Sequence, residues 1–277
     1  MTTYYVNASA TGAADGSSET DAWTTVDAAM NAMATAGAGP HTVYVKASAT
    51  YDERATIDTA GTPSAPITFE GYTTTPGDNG KASIINTASF QSAIEDGVTS
   101  GFYIFKNFIL TSTSEAVDIA AWYVFYNCEF CNDTSSGFKS TGTTFLVNCE
   151  FYGNGSRGIA GIGSNSVIAG CKFYTNTDAA ISTTSNEIVI YKCLFYAGAT
   201  DDDVLSMSSD ASALLGCTID GENTTGTLVD AGGDRFNALI DNVLYDGATA
   251  YFSSGISFDF TFAGYNLINS CTNGYYD

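Results

Sequence analysis

From about residue 107 onward, apolar and polar positions alternate in short runs that return every 21 to 25 residues. One column of the repeat reads Asn107, Cys128, Cys149, Cys171, Cys193, Cys217, Asn242 and Asn266. Two residues further on stands an apolar column: Ile109, Phe130, Phe151, Phe173, Phe195, Ile219, Leu244 and Ile268. The side-chain period of a strand is two, so both columns point to the same face, inward. A second strand in each repeat is marked by Val117, Phe138, Ile159, Ile181, Leu205 and Val229. Several short strands per repeat without helical periodicity predict a β-solenoid, one coil per repeat, with equivalent residues stacked roughly 4.8 Å apart. The residue before the Cys column (Lys106, Asn127, Asn148, Gly170, Lys192, Gly216, Asp241, Tyr265) is the predicted corner, because Asn, Gly and Asp tolerate the left-handed backbone of a sharp bend.

The three positions before that corner are apolar and uncharged in coil after coil. Its predicted outer rows are Phe105, Tyr126, Val147, Ala169, Tyr191, Leu215, Ile240, Gly264 and Tyr103, Val124, Phe145, Val167, Val189, Ala213, Ala238, Phe262. Neither row holds a charge over eight coils, roughly 38 Å. The intervening row, from Ile104 and Phe125 to Leu239 and Ala263, is apolar as well. A strand apolar on both faces is buried on both, and monomers rarely leave so long an apolar strip open. The expected partner is a second copy of the chain, through Tyr103, Phe105, Val124, Tyr126, Phe145, Val147, Val167, Val189, Tyr191 and Leu215.

Residues 1–100 read as an N-terminal cap and first irregular coils, and 101–277 as regular coils of the same continuous domain. Trp23, Val26, Ala29, Met30 and Met33 fall on one helical face, ended by Gly37, Gly39 and Pro40. Strands are predicted at 41–46, 67–72 and 83–85. The fold expected is all-β: a β-solenoid with an amphipathic capping helix that covers an open strand edge.

Composition narrows the function. Nine Lys and Arg against 30 Asp and Glu leave a net charge of −21, which excludes a phosphate-backbone binder and disfavours an anionic membrane surface. No apolar run reaches membrane-helix length, and no secretion signal is recognisable at the N-terminus. The seven cysteines are odd in number, and five form the inward ladder, a stack of small apolar thiols. Cys131 points outward by parity, so Cys128 and Cys131 make no zinc pair.

The segments Tyr4-Tyr5-Val6, Asp21-Ala22-Trp23-Thr24-Thr25-Val26, Thr42-Val43-Tyr44-Val45 and Ala65-Pro66-Ile67-Thr68-Phe69-Glu70-Gly71-Tyr72, with the repeated Asn-Cys-x-Phe corners, resemble the pectate-lyase-like right-handed parallel β-helix superfamily. The resemblance implies a right-handed helix and, for side-by-side association, a threefold axis. Activity does not follow from it, since the superfamily holds lyases, glycosidases and epimerases beside non-enzymatic virion proteins. Its catalytic sets are not recognisable here. The single His41 reads as a solvated loop histidine. Arg54, Arg157 and Arg235 are the only arginines. Arg157 with Asp133 and Asp178 is the best lyase-like cluster. Glu129 and Glu150 read as rungs of a charge ladder continuing into Lys172, ahead of a glycosidase pair. Asp201-Asp202-Asp203 reads as a solvated turn, with calcium as the lesser alternative, and no other cofactor is expected. Tyr152, Tyr174 and Tyr196 form an outward ladder, a candidate sugar platform. The function expected is therefore a non-enzymatic structural protein: a homotrimeric phage virion component such as a capsid decoration protein, spike or fibre, cytoplasmic before assembly. A polysaccharide lyase or glycoside hydrolase and a bacterial surface adhesin are the alternatives.

Overall fold

The computed structural model describes residues 2–36, 40–58, 61–97, 101–196, 204–207, 211–230, 236–252, 262–264, 266–269, 271 and 273–276. The chain winds as a parallel β-helix whose strands pair in parallel from coil to coil. The first sheet has eleven strands, running from Thr2–Val6 through His41–Lys46, Ile67–Tyr72, Phe102–Lys106 and Trp122–Tyr126 to Phe262–Gly264. The second begins at Thr50–Asp52 and Ala82–Asn86 and passes through Phe108–Ser112, Glu129–Cys131, Glu150–Tyr152, Lys172–Tyr174 and Leu194–Tyr196. The third runs from Ala55–Ile57 through Ile94–Asp96 and Val117–Ile119 to Phe138–Ser140. Single-residue bridges through Ile159 carry it on to Ile181–Thr183 and Leu205–Met207. The predicted markers Val117, Phe138, Ile159 and Ile181 thus stack in register.

The corners form because one residue per coil turns left-handed. Asn127, Asn148, Gly170, Lys192, Gly216 and Asp241 have φ of 54°, 53°, 64°, 51°, 62° and 56°. The inward columns then stack. Phe130, Phe151, Phe173 and Phe195 are fully buried, with ring centroids 4.6, 4.7 and 4.8 Å apart. The Cys and Asn column satisfies the backbone at the corner. The Cys149 and Cys193 N–H groups donate to the thiol of the next coil at 3.4 Å, and the Cys217 N–H donates to Asn242 Oδ1 at 2.9 Å. Thiol sulfur and amide oxygen are interchangeable acceptors there, which explains why one column mixes the two residues. Burial holds the Cys128 and Cys171 thiols well above their ordinary pKa.

In one coil the register differs from that predicted. Phe130 pairs with Leu110, and Phe125 with Phe105. The corner is Asn107 itself, at φ 61°, so Phe108 takes the Cys place and Ile109 turns partly outward. The whole strand 102–106 is therefore reversed face for face.

The capping helix α1, Val26–Met33, buries Val26, Ala29, Met30 and Met33 against Thr2–Val6 and Ala55–Ile57. It starts later than the apolar spacing suggests, because Trp23 bridges to Val6 instead. Gly37 and Gly39 lie outside the described residues. Helix and strand edge cap each other. Glu53 accepts the Val26 and Asp27 N–H groups at 2.7 and 2.9 Å, and Asp27 accepts the N–H of edge residue Thr56 at 2.9 Å.

Candidate functional site

Three outer surfaces carry the residues singled out in the sequence. On the first sheet, one outward row is Ile104, Val124, Phe145, Val167, Val189, Ala213 and Ala238. The next is Lys106, Tyr126, Val147, Ala169, Tyr191, Leu215 and Ile240. Tyr103 and Phe105 do not belong to this face. The register shift at Asn107 turns both into the core, where they are 1% and 0% exposed. Lys106 occupies the place expected for Phe105, paired with Glu70 at 3.7 Å, so the apolar face stops one coil short at that end. From Tyr126 onward both rows are charge-free. Tyr126 and Tyr191 stand out at 42% exposure, and the Lys192 ammonium lies 5.0 Å over the Tyr191 ring.

The sequence reading missed the aromatic end of this face. Trp122, 46% exposed, stacks on Phe102 at 5.5 Å. With Pro63, Pro66, Ile104, Val124 and Phe145 they line an apolar groove of about 270 Å³. The signal was present, since Trp122 lies two residues before Val124 and shares its face. The prolines come from a loop some forty residues earlier, which no strand periodicity announces.

On the second sheet, Tyr152 and Tyr174 stack face to face at 5.0 Å. Their hydroxyls donate to Glu129 and Glu150 at 2.6 and 2.9 Å, and Lys81 and Lys172 pair with the same two carboxylates at 2.7 and 2.9 Å. Burial and the carboxylate contacts raise both tyrosines above their ordinary pKa. Burial works to raise Glu150, but the Lys172 and Tyr174 hydrogen bonds overcome it and lower it. These carboxylates are rungs of a charge ladder, each engaged by a cation and a phenol. The stacked rings of Tyr152 and Tyr174 cover one face of each other, and Tyr196 follows Phe195, which is in register with Phe173. Cys131 lies on this outer face yet is 2% exposed, in register with Tyr152 and with Thr111 Oγ1 at 3.5 Å.

Near the third sheet, Arg157 faces Asp178 at 3.6 Å and Lys139 faces Asp118 at 2.9 Å. Both cations line a groove of about 420 Å³ with Ser140, Thr141, Ser182 and Thr184. Asp133 is not part of the Arg157 pair. It is buried inside the coil, and burial pushes its pKa up to about 9. A neutral buried acid and a cation paired elsewhere do not assemble the lyase-like cluster. His41 is not solvated either: it opens the strand His41–Lys46, 5% exposed, with its ring 5.8 Å from Tyr4. Asp201, Asp202, Asp203 and Arg235 lie outside the described residues. Among the described residues no three His, Cys, Asp or Glu side chains converge as a metal site, and no helix is long and apolar enough to cross a membrane.

Solved structures share this architecture. A rhamnogalacturonan lyase superposes with a TM-score of 0.58 at 15% identity, over 90% of this chain and 70% of its own. The A-module of the mannuronan C-5 epimerase AlgE6 of Azotobacter vinelandii gives 0.51 at 14% identity, over 91% of each chain. Tailspike protein 3 of bacteriophage CBA120 gives 0.41 at 11% identity, over 91% of this chain and 56% of its own. At such identities these likenesses concern the fold alone. No curated protein sequence matches the chain. The parallel coils, inward ladders and left-handed corners agree with a family model, the right-handed β-helix region, that matches residues 109–273, more than half of the chain, which therefore belongs to that family.

Proposed function

We propose that this protein is a non-enzymatic structural protein whose copies associate flank to flank through the outer face of the first sheet. The proposal extends to a homotrimer serving as a phage virion component, a decoration protein, spike or fibre. One observation carries the self-association: two adjacent outward rows hold no charge from Tyr126 to Ile240 and from Ile104 to Ala238, in a chain of net charge −21. Val, Phe, Ala and Leu side chains offer none of the hydrogen bonds that orient a sugar, so the face suits protein. Two copies of a chain this acidic approach closely only where charge is missing. Trp122, Tyr126 and Tyr191 are the residue types that anchor interfaces. The trimer and the virion setting come from the family resemblance, not from any single residue.

The test is the mass of the protein in solution, run beside a degradation screen on acidic and neutral polysaccharides. An assembly larger than 29.0 kDa without turnover is expected. Polysaccharide cleavage that disappears in Arg157→Ala or Glu150→Gln would overturn the reading in favour of a polysaccharide-active enzyme. A monomer would remove the self-interface.

A further inference from the structure

At the interior bend that follows the second sheet, Asn154 and Asn176 occupy equivalent places in successive coils. Each Oδ1 accepts a backbone N–H from the coil below: Asp133 donates to Asn154 at 3.3 Å, and Asn154 donates to Asn176 at 3.4 Å. Each Nδ2 donates to a carbonyl of the Phe column below: Asn154 to Phe130 at 3.2 Å, and Asn176 to Phe151 at 3.0 Å. One rung further down stands Asp133, 2% exposed. Its Oδ1 accepts the Ser112 N–H, as the ladder requires. Its Oδ2 takes the place of the amide nitrogen and is buried without a partner. Phe130 is in register with both Phe151 and Leu110, so the carbonyl this position addresses is that of Leu110. An ionised carboxylate has no proton to give there, and two buried acceptors would oppose each other.

We propose that Asp133 stands in the ladder as a neutral carboxylic acid, donating from Oδ2 to the Leu110 carbonyl in place of an asparagine amide, and that this single proton makes the rod less stable as pH rises. Burial is the main cause that keeps the acid protonated, and Glu115 of the coil below adds to it. Glu115 is itself held by Ser114 and Ser135 at 2.6 and 3.3 Å, and Arg157 of the coil above is paired with Asp178 at 3.6 Å. The Ser112 hydrogen bonds pull the other way and do not prevail. In the unfolded chain an Asp loses its proton near pH 4. Between there and the folded value of about 9 the native state holds a proton the unfolded state has released. Stability therefore falls with rising pH across that window, by about tenfold in the folding constant per unit.

The experiment compares urea unfolding of wild type and Asp133→Asn at pH 5 and pH 8, so that every other acid cancels. The variant is expected to be the more stable of the two, by a margin that widens from pH 5 to pH 8. The infrared spectrum of the wild type at pH 7 should show a protonated carboxyl band that the variant lacks. A margin that does not change with pH, a wild type without that band, or a variant that fails to fold would each overturn the proposal, since the amide is the group whose place Asp133 takes.

Discussion

Phe173 shows what one residue contributes to a solenoid. Its ring lies between Phe151 and Phe195 at 4.7 and 4.8 Å, with interplanar angles of 5° and 13°. Truncation leaves a cavity bounded by two stacked rings that cannot close toward each other, because backbone pairing fixes their spacing. Phe173→Ala should lower stability by about 3–5 kcal/mol in equilibrium urea unfolding. Lys192 makes the opposite case. It holds a corner at φ 51°, a conformation that costs an ordinary side chain about 1–2 kcal/mol and that Asn adopts more readily. The corners of neighbouring coils are Asn or Gly. Its ammonium contact with Tyr191 is exposed and offsets only part of the strain. Lys192→Asn should therefore raise stability, by about 0.5–1 kcal/mol, measurable as a higher urea midpoint.

At the scale of elements, the cap depends on one side chain that the helix pattern does not contain. Glu53 takes two N–H groups of the first turn of α1 from outside the helix, and burial raises its pKa despite them. Glu53→Ala leaves those donors unpaired and should cost about 1–3 kcal/mol. Amides of α1 should lose hydrogen-exchange protection before those of the coils, with Glu53→Gln milder. The helix itself was legible from the spacing of Val26, Ala29, Met30 and Met33, and the coils from their Phe and Cys columns. The strand 102–106 was not placed correctly, for a physical reason. Asn107 satisfies two templates, being both a corner residue and a member of a column that holds Asn in later coils. Aligning it with the column moved the corner to Lys106, and a shift of one residue exchanges the faces of a strand. Phe108, Ile109 and Leu110 are all apolar, so alternation after Asn107 does not choose between the two registers. Asp133 was legible only as an acid in a loop, because its place in the ladder depends on atoms brought in from other coils.

For the whole molecule, the outer face of the first sheet sets how copies meet. The row from Ile104 to Ala238 crosses seven strands, roughly 29 Å at 4.8 Å per strand. Two rows, each sweeping a band about 7 Å wide, make a strip on the order of 400 Å², half of what one partner brings to a standard interface. The strip can therefore be only the apolar centre of a contact, and its rim has to come from polar flanks that carry part of the net charge of −21. Two consequences follow. Salt screens the repulsion between rims over about 8–10 Å, so the assembled fraction should rise with ionic strength at fixed protein concentration. Charge placed at the centre acts far more strongly than charge at the rim. Phe145→Asp with Val189→Asp puts two carboxylates into the same outward row, two coils apart on either side of Val167, where association would strip them of water with no cation opposite. An unpaired buried charge costs about 3–5 kcal/mol, a hundredfold or more in dissociation constant. Both side chains point away from the core, so the double variant should keep the fold and its far-ultraviolet spectrum while light scattering reports the monomer mass. If wild type and variant scatter alike at every salt concentration, this face is not where the copies meet.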